Sequence, residues 1–81
     1  MKLLILEVPS DGWLGIFFNG EIIDQGEPRS FRPDFWIDVA HRYKVHSKDV
    51  VYKDVNEEDE DRISKVGCFP NRLDELIGDY I

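Results

Sequence analysis

Residues 13–25 read Trp13-Leu14-Gly15-Ile16-Phe17-Phe18-Asn19-Gly20-Glu21-Ile22-Ile23-Asp24-Gln25, and this stretch decides the fold. Two apolar runs meet at Asn19-Gly20. A two-residue hairpin loop of type I′ needs positive φ at both central positions, which Asn tolerates and Gly adopts freely. The short loop sets a register in which Phe18 faces Glu21, Phe17 faces Ile22, Ile16 faces Ile23 and Gly15 faces Asp24. Because side chains alternate along a strand, Phe17 and Ile22 share one face with Trp13, while Leu14, Ile16 and Ile23 share the other. Apolar bulk on both faces means that the ribbon is covered on both sides, or lends one side to a partner.

Upstream, residues 2–8 form an apolar run ending in Glu7-Val8, with Pro9-Ser10-Asp11-Gly12 behind it, which predicts a strand followed by a turn. Downstream, residues 26–32 read as a loop. Pro33 suits a first helical turn, where its missing N–H costs nothing, and Asp34 favours the positive end of the helix dipole. The helix is predicted to run to Tyr43, with Phe35, Val39 and Tyr43 as a buried stripe and Trp36 and Ala40 beside it. Residues 49–55 are β-branched and aromatic, which predicts a fourth strand. The segment after it is a loop or the opening turn of a short helix through Val66, broken at Gly67-Cys68-Phe69-Pro70. Asn71 is then a suitable N-cap with Asp74 at N3, and Leu73, Leu76, Ile77 and Tyr80 recur at helical spacing, predicting an amphipathic terminal helix. The expectation is a single α+β domain over residues 1–81. It has a mostly antiparallel sheet of three to four strands, one or two helices packed on one face, and the order β-β-β-α-β-α.

With 81 residues the chain has room for one domain, and 42% apolar content with 12% aromatics supports a core. Its bulk is Trp13, Phe17, Phe18, Phe31, Phe35, Trp36 and Phe69. Cys68 is the single cysteine, so no disulfide can form within the chain. The opening apolar run stops at Glu7, too soon for a signal peptide. No stretch approaches the roughly 20 apolar residues that span a bilayer. These features lead us to expect a soluble, cytoplasmic protein without membrane contact.

Charge is unevenly placed. Residues 54–61, Asp54-Val-Asn-Glu57-Glu58-Asp59-Glu60-Asp61, hold six carboxylates in eight positions. From residue 54 onward nine acids face only Arg62, Lys65 and Arg72, a net of −6 in a chain whose total is −7. Residues 29–53 carry the opposite excess: Arg29, Arg32, Arg42, Lys44, Lys48 and Lys53 against Asp34, Asp38 and Asp49.

Several chemistries find no support in the spacing. His41 and His46 lie across a predicted helix end and do not form a repeated ligand face, and a structural zinc site wants four convergent ligands. Asp54, Asn56 and Glu58 alternate as in a calcium loop, but the sixth position is Asp59 rather than Gly and the twelfth is Lys65 rather than Glu. Cys68 with a histidine would still lack an orienting group, and a free cysteine of this kind more often packs than reacts. The glycines match no phosphate-binding fingerprint. No catalytic residue, metal or cofactor is expected, and no enzymatic activity. Basic residues interleaved with Phe31, Trp36, Tyr43 and Tyr52 could bind nucleic acid through residues 29–53, but a pI near 4.6 argues against direct binding to a polyanion.

The acidic run has two readings: a solvated segment, or an anionic surface presented to a basic partner. Carboxylates along a loop or helix can stand where a nucleic-acid backbone would place phosphates, and so compete for a Lys/Arg groove. In its short acidic chain, Asn-Gly hairpin and proline-started helix, the protein is similar to small phage-encoded and mobile-element proteins. Among these are inhibitors that act as nucleic-acid mimics. The similarity is one of size and composition and rests on no motif. The function expected is a small acidic binding protein that engages a basic surface on a larger protein, itself a nucleic-acid-binding protein in the mimic reading. The contacts are Asp54, Glu57, Glu58, Asp59, Glu60 and Asp61, extended by Asp74, Glu75 and Asp79 if the terminal helix packs beside the run. The alternative is an assembly subunit, including a homodimer, that pairs through the hairpin face or a sheet edge.

Overall fold

The computed structural model describes residues 2–80; residues 1 and 81, which the single-domain expectation also covers, lie outside the described residues. The hairpin forms from β2 (Leu14–Phe18) and β3 (Glu21–Gly26), joined by Asn19 at φ 52° and Gly20 at φ 83°, both in the left-handed region that the turn requires. Its register is as expected for Phe18–Glu21 and Phe17–Ile22. A bulge between Ile16 and Phe17 then shifts the rest, so that Ile16 faces Asp24, Gly15 faces Gln25 and Leu14 faces Gly26. The bulge absorbs the extra residue, Ile23, without turning either strand over. The faces therefore remain as the alternation implied: Phe17, Trp13 and Ile22 in one cluster, and Leu14, Ile16 and Ile23 in the other.

β1 (Leu3–Glu7) pairs antiparallel with β2 and parallel with β4 (Val50–Asp54), giving a four-stranded mixed sheet in the order β3-β2-β1-β4. With all four residues from Leu3 to Leu6 alternating between two apolar layers, β1 is one of the two inner strands of an α+β domain: Leu4, Leu6 and Val8 enter one core, Leu3 and Ile5 the other. A strand buried on both faces reads as a continuous apolar run, which is what residues 3–6 are.

Helix α1 (Pro33–Tyr43) starts at Pro33 as expected and ends at Lys44, which takes a left-handed conformation at φ 53°. Val39 is buried, Phe35, Trp36 and Tyr43 are half-buried, and all four pack on the Leu3–Ile5–Ile16 layer with Phe31. The rings of Phe31, Phe35 and Trp36 lie 4.9–5.8 Å apart, and Phe18 meets Tyr43 at 4.7 Å. Ala40, placed beside the stripe, is exposed.

Two expectations are corrected. Helix α2 (Glu57–Val66) packs through Ile63 with Phe69 on the opposite layer, with Leu4, Leu6 and Phe17, so the two helices cover opposite faces rather than one. The cause is the doubly apolar β1 and β2: each face must be removed from water, and one helix cannot cover both. The amphipathic terminal helix does not form either. Residues 71–80 contain a single 3-10 turn at Leu73–Glu75 in an otherwise irregular, bent path. Ile22 N–H donates to Asn71 C=O at 2.9 Å and Leu73 N–H to Gly20 C=O at 2.7 Å, so this segment spends a carbonyl and an amide on the edge of β3 instead of on a helix. Leu73, Leu76 and Tyr80 are buried as their spacing implied, but Ile77 is 60% exposed. The second helix of the β-β-β-α-β-α order is thus the acidic segment itself.

Candidate functional site

The acidic run straddles the end of β4 and the start of α2. Asn56 caps the helix, accepting the Asp59 N–H at 2.8 Å on its side-chain oxygen. Glu57, Glu58, Asp59 and Glu60 fill the first turn, where the helix dipole favours negative charge. Gly67, at φ 90°, closes the helix by donating its N–H to Ile63 C=O at 2.7 Å.

The six carboxylates do not share one environment. Asp54, Glu57, Glu58 and Asp61 are exposed, and no ion pair among the described residues involves them. Glu60 is half-buried and accepts the Ser10 N–H at 3.3 Å, holding the turn after β1. Asp59 is fully buried and so is withdrawn from the surface on which the sequence placed it. One of its oxygens accepts Ile77 N–H at 2.8 Å; the other accepts Gly78 N–H at 2.8 Å and the Tyr80 hydroxyl. Burial by itself raises the Asp59 carboxyl, but the hydrogen bonds from Tyr80, Ile77 and Gly78, with the nearby Arg62 charge, outweigh it and hold the group below its usual range. Tyr80 is pushed up to about 12, first by burial and then by its bond to the Asp59 carboxylate. Its hydroxyl also accepts the Asn56 N–H at 3.0 Å, so every polar group of this latch has a partner.

The latch holds the backbone of residues 75–78 beside α2. Asp79 adjoins Gly78, whose amide is held by Asp59 of α2, and the Arg62 guanidinium donates to Glu75 C=O at 3.3 Å. Proximity arises from an irregular segment, not from the terminal helix expected. Asp74 pairs with Arg72 at 3.4 Å, and Glu75 accepts the Arg72 N–H at 3.3 Å, so both are partly engaged within the chain. Two contributors escaped the sequence reading. Glu7 lies directly across from Asp54 in the parallel ladder and accepts a bond from the Tyr52 hydroxyl, adding a carboxylate to the acidic end. Gln25 accepts both Phe69 N–H at 2.7 Å and the Trp13 indole N–H at 3.2 Å, tying the segment after α2 to the hairpin. Neither has a local signal: Glu7 becomes relevant only through strand pairing, and Gln25 only through a chain separation of 44 residues.

The basic segment is dispersed. Arg42 pairs with Asp38 at 3.1 Å one helical turn away, Lys44 closes α1, and Arg29 and Arg32 lie exposed in the loop ahead of it. Among the described residues no group of three or more His, Cys, Asp or Glu is placed to hold a metal ion, and no helix is long and apolar enough to cross a membrane. Cys68 is half-buried and free. An apolar hollow of about 280 Å³ opens between Leu4, Phe17, Val51, Leu73 and Tyr80, with Lys2, Asn19 and Gly20 at its lining. No protein-family model, no curated protein and no solved structure matches this chain.

Proposed function

We propose that the protein is a non-enzymatic binding module that presents Asp54, Glu57, Glu58 and Asp61 to a basic surface of a larger protein, with Glu60, Asp74, Glu75 and Asp79 at the margin of the contact. The observation that carries this reading is that these four exposed carboxylates sit on one strand end and the first two turns of one helix, with no ion pair to any described cation. Charges left unneutralised at the start of a helix cost self-repulsion, which a cationic partner would relieve. The partner of matching chemistry is a protein whose Lys/Arg groove receives nucleic acid, and the module acts on it as an inhibitory mimic of the phosphate backbone. A free, half-buried cysteine suits action in the reducing cytoplasm.

Capture of a partner from cell lysate tests the reading. The wild type is compared with a variant carrying Asp54→Asn, Glu57→Gln, Glu58→Gln and Asp61→Asn, with Asp59 left intact because it holds the fold. A partner retained at low salt, shed at high salt and absent from the variant supports the proposal. A partner retained equally by both proteins refutes it.

A further inference from the structure

The two edges of the sheet are treated differently. The β3 edge is blunted by the bulge between Ile16 and Phe17 and covered by residues 71–73, which bridge to Glu21. The β4 edge has neither device: its ladder to β1 runs without irregularity, and it carries no proline. Unprotected edges of this kind are templates for another strand. Val55 N–H donates to Glu7 C=O, so the backbone groups of Val51, Lys53 and Val55 face β1. By alternation, those of Val50, Tyr52 and Asp54 face outward. Val50 N–H is already used by the 3-10 turn at Ser47–Asp49, through Ser47 C=O. Among the described residues, what remains open is the Val50 carbonyl together with the N–H and C=O of Tyr52 and of Asp54.

We infer that the β4 edge pairs with the β4 edge of a second copy, antiparallel about a two-fold axis at Tyr52, to make one continuous sheet. In that register the two Tyr52 residues exchange N–H and C=O, and each Asp54 N–H meets a Val50 C=O of the other copy. The one donor already used, Val50 N–H, would face the Asp54 carbonyl, so the open groups are nearly self-complementary. Side chains agree. Tyr52 and Val50, 55% and 38% exposed, lie on the α1 face and gain cover from their counterparts across the axis. On the other face each Lys53 is opposite Val51 of its partner, where the lysine stem can lie along the apolar side chain. A register two residues further along would instead set Lys53 against Lys53. An isologous pair of this kind closes on itself and does not propagate.

Sedimentation across a dilution series tests this with the full chain. The wild type is expected to move from the 9.5 kDa monomer to twice that mass as concentration rises. Raising salt should strengthen the dimer, because each copy carries a net −7, whereas the anionic contact proposed above weakens with salt; failure of one reading therefore leaves the other intact. Tyr52→Pro removes an outward donor without breaking a bond to β1, and is expected to remain monomeric. Should that variant fail to fold, Tyr52→Lys at the same exposed position sets two ammonium groups against each other on the axis and is also expected to be monomeric. A wild type that stays monomeric at every concentration, or a dimer unchanged by both Tyr52 substitutions, would overturn the inference.

Discussion

Asp59 occupies the third position of α2, where a carboxylate is favoured by the helix dipole, yet its side chain turns inward and holds the backbone of residues 77 and 78 and the Tyr80 hydroxyl. Gly78 is part of this fit: a Cβ there would stand 2.6 Å from both the Asn56 side-chain Nδ2 and the Tyr80 ring. Replacing Asp59 by Asn leaves the space filled but removes an acceptor for one of three donors and the charge that strengthens all of them, and is expected to cost about 1–3 kcal/mol. The pH dependence follows from the direction of each shift. Asp59 is held below its ordinary 3.8, so the unfolded chain binds its proton first; the stabilisation is complete above that value and is lost as pH falls through the lower folded-state value. Tyr80 shifts the other way: its stabilisation is complete below 10.0 and is lost as pH rises toward about 12. Thermal melts of wild type and Asp59→Asn across pH should converge at acid pH and separate near neutrality. Parallel curves at all pH values would assign the loss to packing alone.

Among the elements, α1 and α2 end on the same backbone geometry with different residues. Gly67 closes α2 at φ 90°, where glycine has no steric cost, while Lys44 closes α1 at φ 53°. A side chain in that region is disfavoured, so Lys44→Gly is expected to raise stability by about 0.5–1 kcal/mol, measured by denaturant unfolding at unchanged slope. No change would mean that loss of the lysine charge at the helix C-terminus offsets the gain. β2 shows a second local adjustment. Gly15 lies under the Phe69 ring, whose carbons are 2.7–2.9 Å from where a Cβ would be, so a glycine in mid-strand marks the close approach of the segment after α2. Phe69 then meets Phe17 edge to face at 5.9 Å.

For the molecule as a whole, the sheet is the shared wall of two cores, and residues 71–80 seal one of them with Leu73, Leu76 and Tyr80. Each such side chain contributes about 1.5–3 kcal/mol when fully buried. Together they rival the roughly 4–12 kcal/mol that a domain of this size has in total. A chain ending at Pro70 should therefore lose its cooperative melt rather than merely shift it; a retained sharp transition would mean that the β3 edge and the Phe17 layer hold without this cover. The same segment is held against α2 by Asp59 and Arg62, and it carries Asp74, Glu75 and Asp79. Stability and the proposed binding face thus depend on one latch, and the variant chosen to test binding has to spare Asp59.

Wherever the physics is local, the sequence by itself determined the outcome. Asn19-Gly20 forced the hairpin, two-residue periodicity set which side chains of β2 and β3 share a face, and Pro33 and the Phe35–Val39–Tyr43 spacing set α1. The density of carboxylates at 54–61 was equally plain. Tertiary structure alone decided which of them face water. Asp59 and Glu60 look like their neighbours in a list of residues, and only the positions of Ile77, Gly78, Tyr80 and Ser10 turn them inward. It also decided the path of the last ten described residues. Leu73, Leu76 and Tyr80 have a helical period, but the edge of β3 took the Leu73 amide and the buried Asp59 carboxylate those of Ile77 and Gly78, partners that a lone helical turn could not match. Periodicity reports what must be buried; the geometry of burial is set by groups distant in the chain, whose arrival no local pattern encodes.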